Sequence, residues 1–137
     1  MEKKCYIDSN VFIFAYCSND KEGDSCRSVI KKIINNEISA FTSTLTFDEL
    51  FYKAFKLKNK ETALLISDMF LNLNNISFIS VDYNIISLAN SLLIKHNMLP
   101  RDAIHLACCL NNKTNVIIST DKDFDGIKDI KRLNPLV

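Results

Sequence analysis

Val116–Ser119 reads as a continuous, mostly apolar run bounded by polar residues. A strand that is apolar on successive residues is buried on both faces, and a sheet covered on both faces is characteristically parallel. Lys3–Ile7, Ser39–Thr42 and Asn75–Val81, the last with ISFIS at its centre, read as further strands, and Lys131–Asn134 as an edge strand. Between them apolar residues recur at helical spacing. SNVFIFAY predicts a short helix capped by Ser9 or Asn10, and Asp20–Asn36 one that turns Cys26, Val29, Ile30, Ile33 and Ile34 to one side. Thr44 or Thr46 is placed to cap the next helix, with Phe47, Leu50, Phe51 and Ala54 as its stripe. Lys60–Leu73 follows with Ala63, Ile66, Met69, Phe70 and Leu73 inward, then Tyr83–His96, then Arg101–Asn111 with Pro100 in its first turn. Strands alternating with helices predict an α/β fold, a three-layer α/β/α sandwich around a mostly parallel sheet.

The 137 residues are 47% apolar, enough for one core, and 2 Gly, 2 Pro and no repeat leave no linker, so a single domain over 1–137 is expected. No segment approaches the roughly 18 apolar residues of a membrane span. The N-terminal MEKKCYID lacks a signal-peptide run, so the expected location is cytoplasmic. The 5 cysteines form no CxxC pair and read as free thiols ahead of a zinc site. A net charge of +1 gives no global attraction for nucleic acid, so any such binding requires a local basic patch.

Acidic residues fall at the ends of these elements: Asp8 after CYI, Glu49 in TFDELF, Asp102 in LPRDAIHLA and Asp121 after VIIST. Each has a local alternative, as a turn residue, a first-turn carboxylate, a solvated helix residue or a cap at DKDF. In open α/β sheets, however, ligands bind beyond the carboxyl ends of the strands, which is where such acids would meet. Gathered carboxylates repel unless a cation sits among them, and oxygen-only ligands suit Mg²⁺ or Mn²⁺. Metal-free, such a cluster should be relieved by Asp8→Asn.

The strings YIDSNVF, TLTFDELF, LPRDAIHLA and IISTDKDFDGI, in this order across the whole chain, resemble the motifs of the PIN domain, and within it the VapC-type toxin ribonucleases. The resemblance implies an α/β/α sandwich with a Mg²⁺- or Mn²⁺-dependent endoribonuclease site. Asp8, Glu49, Asp102 and Asp121 match the family's four acids, and Asp123 a further acid that assists the last. It also implies an RNA substrate, a small antitoxin protein as partner, and a homodimer. A housekeeping nuclease of RNA maturation is the alternative on the same fold; a phosphoacceptor module fits less well because Asp8 is followed by Ser9 and Asn10 and not by a second acid, and a non-catalytic protein-binding module because the acids are intact. Asp8 reads as the principal metal ligand with Asp102 beside it, and Asp121 binds the metal directly or through water. Glu49 holds a metal water or orients the attacking one, as general base if its neighbours raise its pKa.

Ser9, Asn10 and Thr120 are secondary candidates that capping explains equally well. His105, one turn after Asp102, is read either as a proton-transfer group or as a histidine at the edge of the core. Arg101, Lys53 and Lys56 are candidate RNA contacts. For the lysines the alternative is a solvated helix end, and for Arg101 a salt bridge. Phe51, Tyr52 and Phe55 cannot all face one core, which leaves aromatic surface for a partner.

Overall fold

Along β1 (Lys4–Ile7) the side chains alternate between two cores: Cys5 and Ile7 pack to one side and Tyr6 to the other. The same alternation divides Ala40 from Phe41 in β2 (Ser39–Ser43), and Val116 and Ile118 from Ile117 in β4 (Val116–Ile118). With β3 (Ile76–Ile79) and β5 (Lys131–Leu133), these strands form one all-parallel sheet in the order β3-β2-β1-β4-β5. These relations come from a computed structural model that describes residues 4–136. Lys3, expected at the start of β1, lies outside the described residues.

One face carries α1 (Ser9–Cys17), α2 (Lys21–Ile34), α3 (Leu45–Leu57) and α4 (Lys60–Leu71) around the core of Val11, Phe12, Ile33, Leu50, Ala54 and Phe70. The other carries α5 (Tyr83–Lys95) and α6 (Pro100–Asn111), with Ile85, Ala89, Leu92 and Leu106 packed on Tyr6, Phe41 and Ile117. A 3₁₀ turn at Lys122–Gly126 buries Phe124 beneath the same layer. The expected three-layer α/β/α sandwich is therefore the observed one. None of the helices is long and apolar enough to cross a membrane, among the described residues.

The inward stripe of α4 departs from expectation. Met69 is 52% exposed because the buried positions run Ala63, Ile66, Ser67, Phe70, a set spaced three and four residues apart that leaves Met69 to one side. Phe47, also expected inward, is 38% exposed, while Leu50 and Ala54 of its stripe are fully buried. Thr44 occupies the cap of α3 without a side-chain cap bond; its hydroxyl instead accepts from the Val81 N–H at 3.1 Å, tying α3 to the end of β3.

Candidate active site

The strand order places a switch point between β1 and β4. The chain builds outward from β1 through β2 to β3, then returns to lay β4 on the opposite flank of β1. Connections on the two sides diverge, leaving a crevice beyond the carboxyl ends of these two strands. Asp8 follows β1 directly, and Ser119, Thr120 and Asp121 follow β4.

Asp8 itself caps α1, where Ser9 or Asn10 was expected to do so. Its Oδ1 accepts from the Ser9 N–H at 2.8 Å, and its Oδ2 accepts from the Ser119 hydroxyl at 2.7 Å and Asn10 Nδ2 at 3.0 Å. Asn10 also accepts the Thr120 N–H through Oδ1 at 3.3 Å, so Thr120 enters the network through its backbone. Burial pushes the Asp8 pKa up, only partly offset by His105, Ser119 and Ser9.

Asp121 caps the 3₁₀ turn, accepting from the Asp123 N–H at 2.9 Å, while its own N–H donates to Ser119 Oγ at 2.9 Å. That turn aims its acids at the first turn of α6. One carboxylate oxygen from each of Asp102, Asp121 and Asp123 lies within 4.8 Å of the others. Asp8 does not join this group, although it was read as the principal ligand; its oxygens are engaged by Ser9, Asn10 and Ser119. Asp123, read as an assisting acid, does join it. Burial, then the charges of Asp121, Asp8 and Asp123, raise the Asp102 pKa to about 6. An all-oxygen donor set whose members repel one another fits a hard divalent cation.

Glu49 reaches the crevice from α3. Its Oε1 lies 2.5 Å from His105 Nε2, whose other ring nitrogen, Nδ1, lies 2.5 Å from the Tyr6 hydroxyl. Tyr6 in turn meets Ser43 Oγ at 2.9 Å. Burial alone would raise the Glu49 pKa, but the His105 hydrogen bond and charge outweigh it and hold the group below its ordinary value. That direction is opposite to the raised pKa on which the general-base reading of Glu49 depends. Burial likewise opposes charge on His105, and the Glu49 hydrogen bond with the charges of Asp8, Glu49 and Asp102 more than compensates, so its pKa is raised.

Arg101 and Lys53 line one cleft of about 180 Å³ together with Glu49, Asp48, Tyr52 and Ile13. Arg101 also borders an adjoining space of about 570 Å³ with Glu49, Asp102, Leu99 and Pro100. Lys56 is not among the residues lining either space; its ammonium sits 5.8 Å from the centre of the Tyr52 ring.

Sequence reasoning did not single out Tyr6, Ser43 or Ser119. Two signals existed: a tyrosine inside an apolar strand needs a partner for its hydroxyl, and a serine directly after a buried strand stands at the crevice.

The molecule is thus an α/β domain with a parallel sheet covered on both faces and acids at its switch point. Residues 5–130 match the PIN domain family, and the chain belongs to it. The chain is 25% identical over 138 residues to Ribonuclease VapC2 of Methanocaldococcus jannaschii, covering 92% of this chain and 90% of that protein. Its fold is similar to that of VapBC2 from Rickettsia felis bound to a DNA fragment from their promoter, with a TM-score of 0.75, 16% identity and 96% and 98% of the two chains covered. A toxin-antitoxin complex from Klebsiella pneumoniae gives a TM-score of 0.69 at 17% identity, over 96% and 97% of the two chains.

Proposed function

We propose that this PIN domain is a Mg²⁺- or Mn²⁺-dependent endoribonuclease that hydrolyses RNA phosphodiester bonds. The observation that carries the reading is the convergence of Asp102, Asp121 and Asp123 in the crevice that Asp8 and Glu49 also reach. The similarity to a protein named Ribonuclease VapC2 supports RNA as the substrate. A bound divalent cation supplies an acidified water and neutralises charge on the phosphate. Asp102, Asp121 and Asp123 would hold it, and Asp8 adds negative charge beside them while anchoring the start of α1 to Ser119. Glu49, held ionised, accepts a hydrogen bond from the attacking water and so orients it. Arg101 and Lys53 line the approach and bind the phosphate backbone.

The test is cleavage of single-stranded RNA by purified protein with Mn²⁺ or Mg²⁺, its loss in EDTA, and its loss in Asp102→Asn with the circular dichroism spectrum unchanged. Activity in EDTA, or full activity in Asp102→Asn, would overturn the reading.

The biological role we infer is the toxin of a toxin-antitoxin pair, with a small antitoxin protein as partner and a second copy of the chain as a further one. The similarity to a toxin-antitoxin complex supports this, as does a row of aromatic rings on α3: Phe47 and Phe51 are 5.9 Å apart and Phe51 and Phe55 6.4 Å. The row borders a wholly apolar hollow of about 470 Å³ formed by Thr44, Phe47, Phe70, Leu71 and Phe78. Expression in a heterologous cell should slow growth, and the cognate partner should restore it. Harmless accumulation of active nuclease would favour the housekeeping alternative.

A further inference from the structure

We propose that Tyr6 and His105 form a buried brace that fixes the Glu49 carboxylate, making both of them positioning residues for RNA cleavage. The proposal rests on the nuclease reading above and extends it to residues that do not touch the substrate.

A glutamate on a helix surface has several torsions and holds one orientation only when something restrains it. In this protein the restraint comes from inside. His105 Nε2 is 2.5 Å from Glu49 Oε1 but 3.6 Å from Asp8 Oδ1, beyond hydrogen-bond range, so the single Nε2–H is committed to Glu49. That assignment holds whether the ring is neutral or charged, since a carboxylate can only accept. The ring is held in turn by its opposite nitrogen: Nδ1 lies 2.5 Å from the Tyr6 hydroxyl, which is 2.9 Å from Ser43 Oγ.

Every member behind Glu49 is shut away from water. His105 is 1% exposed, and Tyr6 and Ser43 are 0% exposed. Tyr6 cannot swing, because its ring packs edge-on against Phe41 at 5.3 Å and also meets His105 at 5.6 Å. The chain of bonds thus starts on β1 and β2 and crosses α6. It then emerges at Glu49, whose side chain is 20% exposed. An apolar residue of similar size would fill the position of His105 without needing partners. Buried polar chains are costly unless satisfied, and no buried side-chain polar atom among the described residues lacks a partner. The chain leads to one carboxylate, and that carboxylate faces the crevice.

The test is a set of variants assayed on single-stranded RNA with Mn²⁺, with Mn²⁺ affinity measured separately by calorimetry. His105→Asn is too short to reach Glu49 and should lower kcat about 30- to 100-fold with KM little changed, the scale expected for a misplaced reacting group. His105→Gln carries a donor to the Nε2 position and should recover most of that loss. Tyr6→Phe, nearly isosteric, should lower kcat by roughly tenfold and shows the effect without the folding risk of a cavity. In the Glu49→Gln background, His105→Asn should have no further effect on kcat, since both act through one group. Mn²⁺ affinity should stay within about threefold of wild type in His105→Asn. Additive losses in the double variant, or a fall in Mn²⁺ affinity parallel to the fall in kcat, would overturn the brace while leaving the nuclease reading standing. A wild-type protein that does not cleave RNA with Mn²⁺ would overturn both.

Discussion

The Ser119 hydroxyl donates to Asp8 Oδ2 at 2.7 Å, joining the carboxyl ends of two strands across 111 residues of sequence. Ser119 Oγ also accepts from the Asp121 N–H at 2.9 Å, so one buried serine orients two of the acids at once. Ser119→Ala leaves a buried carboxylate oxygen and a backbone N–H short of a partner, at a cost of about 1–3 kcal/mol. Denaturant unfolding should show this loss, and RNA cleavage should require more Mn²⁺ for half-maximal rate. Unchanged stability would mean that the serine is dispensable to both acids.

Asp8 and Asp102 should respond oppositely to loss of charge in EDTA. Every donor around Asp8 points at a carboxylate oxygen, so the amide group of Asp8→Asn faces Ser9 N–H or the Ser119 and Asn10 donors. That variant should melt below wild type by about 3 °C or more, contrary to the stabilisation expected from charge repulsion alone. Asp102→Asn, relieved of Asp121, Asp8 and Asp123, should instead melt at or above wild type. Thermal scans in EDTA decide between these, and a higher melting temperature for Asp8→Asn would refute the hydrogen-bond argument.

The raised Asp102 pKa has a definite sign in pH. A carboxyl whose folded pKa, about 6, exceeds its unfolded value binds its proton more tightly in the native state. Its contribution to metal-free stability is complete below about pH 4 and is lost as pH rises through about 6, on the order of 1 kcal/mol after screening. Mn²⁺ competes with that proton, so apparent affinity should weaken below about pH 6. Calorimetric titrations at pH 5 and 7 should differ for wild type, and metal-free Asp102→Asn should lose the part of the pH slope in stability that Asp102 contributes.

Phe55→Asp should weaken the complex with a cognate antitoxin and leave nuclease activity intact. Phe55 is 48% exposed and ends the aromatic row, whereas Phe51 packs partly against the core and would report on folding instead. Co-purification with the partner, measured beside RNA cleavage, checks both halves.

Secondary structure was legible because it is local. The run at Val116–Ser119 announced a strand buried on both faces, one residue longer than β4, and helical spacing located α2, α5 and α6 to within a few residues. The acids were visible for the same reason, standing at the ends of elements. Their partnerships were not. Asp102 meets Asp121 and Asp123, and Asp8 meets Ser119, only because β4 lies beside β1, a placement no local pattern encodes. His105 looked like a core histidine because it is one; its link to Glu49 spans 56 residues and two helices. Met69 misled because a four-residue step in the α4 stripe, from Ile66 to Phe70, is indistinguishable in composition from the three-residue step to Met69.

The return of β4 to the flank of β1 also sets an order of assembly. A nascent chain that has left the ribosome only as far as α5 already carries Asp8 and Glu49, but lacks His105, Ser119 and the acid-bearing 3₁₀ turn. Long-range parallel pairing closes late, since its loop must form before any contact rewards it. Incomplete translation products therefore hold two of the acids and no crevice to concentrate them. Whatever chemistry the crevice performs begins all at once, when the last quarter of the domain arrives.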